Sequence, residues 1–356
     1  MRHSNLARFL LAAYVLLVVY ASLYPLAGWR EPAAPALAYL VAPWPRYLTV
    51  FDLAANFLGY VPFGILCALA LYPREAAGRA VLVTFLTGAA LSFAMETAQG
   101  YLPARIASNV DLLANIAGAL AGGVAGARMA HWLLEEGPLR RLRSAAFEPG
   151  AAADLGLTLL GLWLFAQLNP ATLLFGTGDL RDLVSGTANR PHGAEIFVFI
   201  EAATAAANLA AVALLASAVA RPGAPLRRLL AALLAGVLVV KTLSMAILMH
   251  AENMLGWLTP GGQLGLAAGV ALAAAALALP RLARLASAAV LLMAATVLVN
   301  LAPPNPYLAA TLKVWGQGHF LNFNGLTRLV GTLWPFVALG YLIYLASSAS
   351  TRQALR

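Results

Sequence analysis

Ten long apolar segments, separated by short polar stretches, constrain the fold of this chain more than any other feature of its sequence. A helix that crosses a bilayer needs about 20 mostly apolar residues, and a backbone surrounded by lipid must satisfy its own hydrogen bonds, as a helix does. The pattern therefore predicts an all-α, polytopic membrane bundle of about ten transmembrane helices, of which the fifth and eighth are short. The predicted spans are residues 8–26, 51–72, 80–99, 110–133, 154–169, 194–220, 229–250, 264–279, 285–301 and 329–346.

The amino-acid composition supports a membrane protein and excludes several other classes. Of the 356 residues, 62% are hydrophobic and 10% are charged, whereas a soluble domain carries about 25% charged residues. This deficit excludes a soluble globular enzyme, a disordered chain and a nucleic-acid binder. The single cysteine, Cys67, excludes a disulfide framework within the chain, and neither a metal nor a cofactor is predicted.

The distribution of basic residues predicts the orientation in the membrane. With ten spans both termini lie on one face, and that face carries 15 lysine and arginine residues against 7 on the other, with Lys241 inside a span. Cytoplasmic loops are the richer in these residues, so both termini are predicted to be cytoplasmic. The net charge of +9 reflects this bias. The first span is expected to stay in the membrane and not to be cleaved as a signal peptide.

A charged loop divides the chain into parts of four and six spans. It contains two adjacent glutamates and the sequence Arg140-Arg141-Leu142-Arg143. We predict a four-helix module at residues 1–133, a cytoplasmic linker at 134–153 whose basic cluster faces lipid headgroups, and a six-helix module at 154–356.

The second and fourth spans open with the same motif, Asp-Leu-x-Ala-Asn-x-x-Gly. Its polar and glycine positions are Asp52, Asn56 and Gly59 in the first copy and Asp111, Asn115 and Gly118 in the second. The spacing places them on one helical face, and the glycine allows another helix to approach closely. Because both copies begin at the predicted outer face, the two carboxylates are expected to meet there. The alternative is that each aspartate only caps its helix.

The third span ends at the same face with further polar residues. Glu96 and Gln99 lie one turn apart, and Arg105 is the basic residue of the short loop that follows. A buried Glu96 needs a cation or a shared proton, so we expect Arg105 to contact at least one carboxylate. The residues predicted to form one polar site are Asp52, Asn56, Glu96, Gln99, Arg105, Asp111 and Asn115. A polar network that only holds the helices together is the alternative.

These motifs resemble the VanZ-like family of membrane proteins. The resemblance rests on Tyr20-Ala-Ser-Leu-Tyr-Pro25, the two Asp-x3-Asn motifs, Pro62-x-Gly64, Glu96-x2-Gln99 and Arg105, and it covers about residues 8–133. It implies a module of four to five spans in a bacterial plasma membrane, and a role in the cell envelope, since the family is named after a teicoplanin-resistance protein of Gram-positive bacteria. It also implies that the seven polar positions above are shared. The six further spans depart from the short form of the family.

The C-terminal spans carry ionisable residues of their own. Glu201 and Lys241 lie inside antiparallel spans at similar depth, so we expect a buried ion pair, which is either functional or only fixes the packing. His192, His250 and His319 fall at the predicted outer face, where zinc binding and ordinary interfacial placement are the alternatives. The chain has no His-Glu-x2-His pattern, which favours interfacial placement.

Three glycines of the fourth span form two overlapping Gly-x3-Gly steps. They are Gly118, Gly122 and Gly126. Such steps allow tight helix packing, either within the chain or between two copies in a homo-oligomer.

Taken together, these features favour an envelope protein without enzymatic activity. Such a protein, surrounded by membrane lipids, would bind or move a lipid-linked or glycan-precursor ligand at the outer leaflet, with Arg105 on an anionic group of that ligand. One alternative is a proton-coupled transporter that uses Glu96, Glu201 and Lys241 as relay groups. Another is a membrane-embedded hydrolase or transferase that uses the acidic residues and histidines.

Overall fold

A computed structural model describes residues 5–32, 34–44, 49–181, 194–249, 252, 254–302 and 321–354. These residues form eleven α-helices and no β-strand. In chain order the helices are α1 (Asn5–Leu23), α2 (Val50–Leu71), α3 (Ala77–Gln99), α4 (Asn109–His131), α5 (Pro138–Ala146), α6 (Ala151–Ala166), α7 (Ala194–Val219), α8 (Leu226–Leu248), α9 (Pro260–Ala276), α10 (Arg281–Leu301) and α11 (Leu321–Ala354).

The helices agree with the predicted spans. Each of the ten apolar segments coincides with one helix, and eight helices are long and apolar enough to cross a membrane. The two shorter ones, α6 and α9, have 16 and 17 residues and are the fifth and eighth predicted spans. The remaining helix, α5, lies in the predicted linker. Its exposed side chains include leucines and arginines. The prediction of an all-α membrane bundle is therefore confirmed.

The chain divides into two compact units, which are described separately. The first comprises Met1–Ala145 and Pro149–Leu155, and the second comprises Ala146–Glu148 and Gly156–Arg356. The first unit thus contains α1 to α4, and the second contains α6 from Gly156 onward together with α7 to α11.

In the first unit, α2 and α4 pack directly backbone to backbone. A Cβ atom added at Gly118 would overlap the carbonyl oxygen of Phe57, and one added at Gly122 would overlap that of Val61. One turn further, a Cβ at Gly126 would lie 2.8 Å from the oxygen of Ile65. Because contact positions advance by four residues on both helices, α2 and α4 run parallel in a fixed register.

These contacts show what the glycine stripe of α4 does within the chain. The three glycines are buried against α2, which is the first of the two uses that the sequence allowed. A second copy of the chain could contact these glycines only if α2 moved away. A homo-oligomer formed through the glycines stays a prediction.

Helix α3 completes this part of the unit by packing a stripe of small and polar residues against α4. Its buried positions recur every four residues and end at Glu96. Gly88 lies against Ala119, and the methyl group of Thr84 lies against Gly123. Since the stripe is narrow and continuous, α3 carries the Glu96 side chain to the end of the module where α2 and α4 begin.

In the second unit, α7 and α9 also run parallel and pack through small residues. Added Cβ atoms at Gly265 and Gly269 would crowd Ala205 and Ala206, and the contact positions again advance together along both helices. Most of α7 is buried. It packs against both α9 and α10 and forms the centre of this unit.

Candidate ligand site in the first unit

Hydroxyl side chains, and not the aspartates, cap α2 and α4. The Thr49 hydroxyl oxygen accepts a hydrogen bond from the backbone N–H of Asp52 at 3.0 Å. The Ser108 hydroxyl accepts bonds from the amides of Val110 and Asp111 at 3.2 and 3.4 Å. The alternative, in which each aspartate only caps its helix, is therefore wrong. Each aspartate is the third residue after its cap, where a carboxylate interacts favourably with the helix dipole.

The two copies of the motif meet where α2 and α4 begin. The Asn56 side chain hydrogen-bonds the carboxylate of Asp111, and the carboxylate of Asp52 is near enough to repel it. The Thr49 hydroxyl donates to Asp52. Asp52 is exposed, whereas Asn56 and Asp111 are half-buried. The first carboxylate thus faces the surroundings and the second lies just beneath it.

Glu96 forms the buried side of the same site. It is 3% exposed, and its Oε2 atom accepts a hydrogen bond of 2.9 Å from the backbone N–H of Ser108. Asp111 and Arg105 are its nearest charged neighbours. We refer to Asp52, Asn56, Glu96 and Asp111 as the acidic cluster.

Arg105 lies beside the acidic cluster, but its hydrogen bonds go elsewhere. Its Nε donates to the carbonyl of Tyr24 at 3.0 Å and its Nη2 to that of Ala21 at 2.8 Å. The Gln99 amide likewise donates to the carbonyl of Ser22 at 3.0 Å. Burial lowers the pKa of the Arg105 guanidinium, and the nearby Glu96 charge opposes this shift. The expectation that Arg105 hydrogen-bonds a carboxylate is wrong, because it and Gln99 cap the end of α1.

A second polar layer lies one helical turn below the acidic cluster. Asn115 donates from Nδ2 to the Ser92 hydroxyl at 3.0 Å, and both side chains are buried. The buried Tyr60 hydroxyl lies beside the hydroxyl of Ser92, whereas the Oδ1 atom of Asn115 has no hydrogen-bond partner. Buried polar atoms are nearly always hydrogen-bonded, so the Asn115 oxygen distinguishes the site from ordinary helix packing.

The sequence predicted only part of this site. Of the seven predicted residues, the structure gathers Asp52, Asn56, Glu96, Asp111 and Asn115 and turns the other two toward α1. Sequence reasoning missed Thr49, Ser92, Ser108 and Tyr60. A signal for the caps was present, because a hydroxyl residue stands three positions before the aspartate in both copies of the motif.

The polar residues of the second unit do not form the expected pair. Lys241 is 1% exposed, and its Nζ donates to the carbonyls of Asn169 and Thr172 at 2.7 and 2.9 Å and to the Thr172 hydroxyl at 3.0 Å. The Glu201 carboxylate instead faces Thr259 and the amide of Gly262. The expected Glu201–Lys241 ion pair is therefore wrong, because each group faces a different helix end.

The proposed histidine site is outside the part of the chain that the structure describes. His192, His250 and His319 all fall there. Among the described residues, no group of three or more His, Cys, Asp or Glu side chains is arranged to hold a metal ion.

The long apolar helices pack through small residues, and charged side chains gather at one helix end. These features define a polytopic α-helical membrane protein. Residues 9–129 match the family model VanZ-LLP1, described as VanZ/LLP1. The N-terminal part of the chain, α1 to α4, is thus a VanZ-like module, as its motifs predicted. No curated protein and no solved structure matches the chain.

Proposed function

We propose that the VanZ-like module binds the polar headgroup of a lipid-linked ligand of the bacterial cell envelope, such as a glycan precursor, at the acidic cluster. The observation that carries this proposal is the proximity of two carboxylates, Asp52 and Asp111, the second of which is hydrogen-bonded by Asn56. Among the described residues, no basic side chain lies within 4.0 Å of either one. Two neighbouring carboxylates repel each other, so this arrangement favours a ligand that donates hydrogen bonds to both.

The exposure of the cluster supports access from the membrane face. Asp52 is exposed at the start of α2, and Asn56 and Asp111 follow just beneath it. A headgroup at this end of the module can therefore reach the carboxylate and amide oxygens. The positive-inside bias of the loops places this face outside in our proposal, in a bacterial plasma membrane with both termini cytoplasmic.

The second unit supplies an internal comparison against a purely structural role. There, α7 and α9 form a parallel, glycine-packed pair like α2 and α4. Thr204 precedes Asn208 by four residues, as Asp52 precedes Asn56. The third residue after the cap of α9 is Gly262, whereas the third residue after the cap of α4 is Asp111. The same packing is thus reached with a single carboxylate, that of Glu201, at the start of α9, so it does not require a pair of carboxylates.

The matching experiment uses a polyprenyl diphosphate-linked disaccharide as the probe. Binding to the native state raises the free energy of unfolding by RT ln(1 + [L]/Kd), so thermal unfolding of the purified protein in detergent reports the affinity. We expect Asp52→Asn and Asp111→Asn to weaken binding at least tenfold. Glu75→Gln is the matched control, because it removes a carboxylate that pairs with Arg79 at the other end of α2 and α3.

The outcomes separate a binding site from a structural network. Equal stabilisation of the wild-type protein and both asparagine variants by the probe would contradict the proposal, and so would a wild-type protein that the probe does not stabilise. Each asparagine keeps the shape of its aspartate, so unfolding without probe should stay close to that of the Glu75→Gln protein.

A further inference from the structure

We propose that the ligand group held by the acidic cluster is a primary ammonium group. This inference rests on the proposed function, because it names the chemistry of the group that binds there. It differs from the expectation that Arg105 holds an anionic group. An ammonium carried by a lipid headgroup and one carried by an amino sugar present the same chemistry, and the experiment below distinguishes them.

The charge of the site favours a cation. Asp52, Glu96 and Asp111 lie close together, and Arg105 is the basic residue that the structure places beside them. The Nε and Nη2 atoms of Arg105 both donate hydrogen bonds to carbonyls at the end of α1. An anionic headgroup would therefore meet two or three carboxylates and an arginine that is already engaged, whereas a cationic headgroup would neutralise the repulsion between Asp52 and Asp111.

A buried atom without a partner is a second, independent observation. Asn115 lies one turn beyond Asp111 on α4. It is 5% exposed, and its Oδ1 atom has no hydrogen-bond partner. Side chains on a helix incline toward its N-terminus, so the Asn115 side chain inclines toward the acidic cluster. Its Oδ1 atom therefore points to a ligand that reaches past the two aspartates.

The hydrogen-bonding capacity of the site matches an ammonium with N–H groups. A primary ammonium has three donors and no acceptor, and the carboxylates of Asp52 and Asp111 together with Asn115 Oδ1 supply three acceptors. A phosphate has only acceptors, and among these residues the donor left for it is the amide of Asn56. A quaternary ammonium carries the charge but has no N–H to donate. The number of acceptors therefore favours the primary group.

Five lipid probes with identical acyl chains test this assignment on the full-length protein in detergent. They are phosphatidylethanolamine, phosphatidylcholine, phosphatidylglycerol, a glucosaminyl lipid and the N-acetylated form of that lipid, which lacks its charge. We expect the wild-type protein to bind phosphatidylethanolamine, the glucosaminyl lipid or both at least tenfold tighter than phosphatidylcholine, phosphatidylglycerol and the N-acetylated lipid. The one that binds tighter identifies the source of the ammonium.

Variants show whether the acidic cluster is responsible. Asp111→Asn should abolish the preference for the primary ammonium, Asp111→Glu should retain it because the charge is kept, and Glu75→Gln should bind like wild type. Tightest binding of phosphatidylglycerol, or equal binding of the ethanolamine and choline lipids, would overturn the inference. If the polyprenyl diphosphate-linked disaccharide binds in an Asp111-dependent way and no ammonium lipid does, the inference fails and the proposed function stands. If no probe depends on Asp111, both fail.

Discussion

Replacing Gly122 by alanine tests the backbone contact on which the VanZ-like module is built. The added Cβ would overlap the carbonyl oxygen of Val61 and would lie 2.9 Å from its carbonyl carbon and 3.1 Å from the Cα of Gly64. Ordinary carbon–carbon contacts are about 3.5–4.0 Å. All three atoms belong to the backbone of α2 and cannot rotate away, so α2 and α4 have to separate.

The expected magnitude follows from overpacking together with helix propensity. Forcing additional carbon atoms into a packed interior costs about 1–3 kcal/mol, so Gly122→Ala should lower the free energy of unfolding by that amount. Gly59→Ala on α2 is the matched control, because a Cβ at Gly59 meets no atom within 4 Å. An alanine inside a helix is more stable than glycine by roughly 0.5–1 kcal/mol, so the control variant should be as stable as wild type or more stable.

Unfolding of both variants in mixed micelles, followed by circular dichroism during titration with a denaturing detergent, measures this difference. We expect the two variants to differ by roughly 1.5–4 kcal/mol, which is the sum of the two effects. Equal shifts for Gly59→Ala and Gly122→Ala would refute the proposed register of α2 and α4, because that register alone distinguishes the two positions.

Three further predictions follow from the described contacts. Lys241→Met leaves buried oxygens of the α6 end without their donor and should lower the free energy of unfolding by about 1–3 kcal/mol. In a double-mutant cycle, the coupling energy between Lys241→Met and Glu201→Gln should stay below about 0.5 kcal/mol. A direct ion pair would give a larger coupling energy. Glu96→Gln keeps an oxygen that can accept the hydrogen bond from the backbone N–H of Ser108. In thermal unfolding it should therefore destabilise the protein less than Glu96→Ala does. A reporter fused after Arg143 should be cytoplasmic and one after Asp182 external, and two reporters on the same side would contradict the span count.

The helices could be predicted from the sequence because membrane insertion leaves little choice. An apolar segment of sufficient length forms a helix in lipid whatever its neighbours are, so all ten predicted segments coincide with helices. The short helix Pro138–Ala146 was not predicted, because its arginine-rich sequence carries no signal of a span. The approach of Asp52 to Asp111 was also accessible, since an identical motif in two parallel helices places the same residues at the same level.

Pairwise contacts were less accessible, because they depend on how the helices are rotated. Gly59 and Gly118 occupy the same motif position, yet Gly118 contacts α2 closely whereas Gly59 meets no neighbouring atom. A Cβ at Gly64, five residues beyond Gly59, would instead overlap the carbonyl of Ala119. The sequence shows where a glycine permits contact and does not show which helix makes use of it.

The same limit explains why both basic side chains were assigned the wrong partner. In each unit the first helix ends in the pattern aromatic-Ala-x-Leu-x-Pro, at Pro25 and at Pro170. The last carbonyls of a helix lack partners within it, and a proline that follows contributes no N–H. Leaving such carbonyls unsatisfied inside a membrane costs several kcal/mol each, so a donor has to come from another part of the fold.

Arg105 supplies this donor for the end of α1, and Lys241 supplies it for the end of α6. Arg105 donates to the carbonyl of Tyr24, and Lys241 donates to that of Asn169. These two carbonyls occupy the same position in the pattern, directly before the proline. The recurrence in two units with different cations indicates that the pattern itself requires a donor. A basic residue near a buried carboxylate is therefore not evidence of an ion pair where such a helix end lies within reach. This accounts for an acidic cluster that lies beside an arginine without forming an ion pair with it.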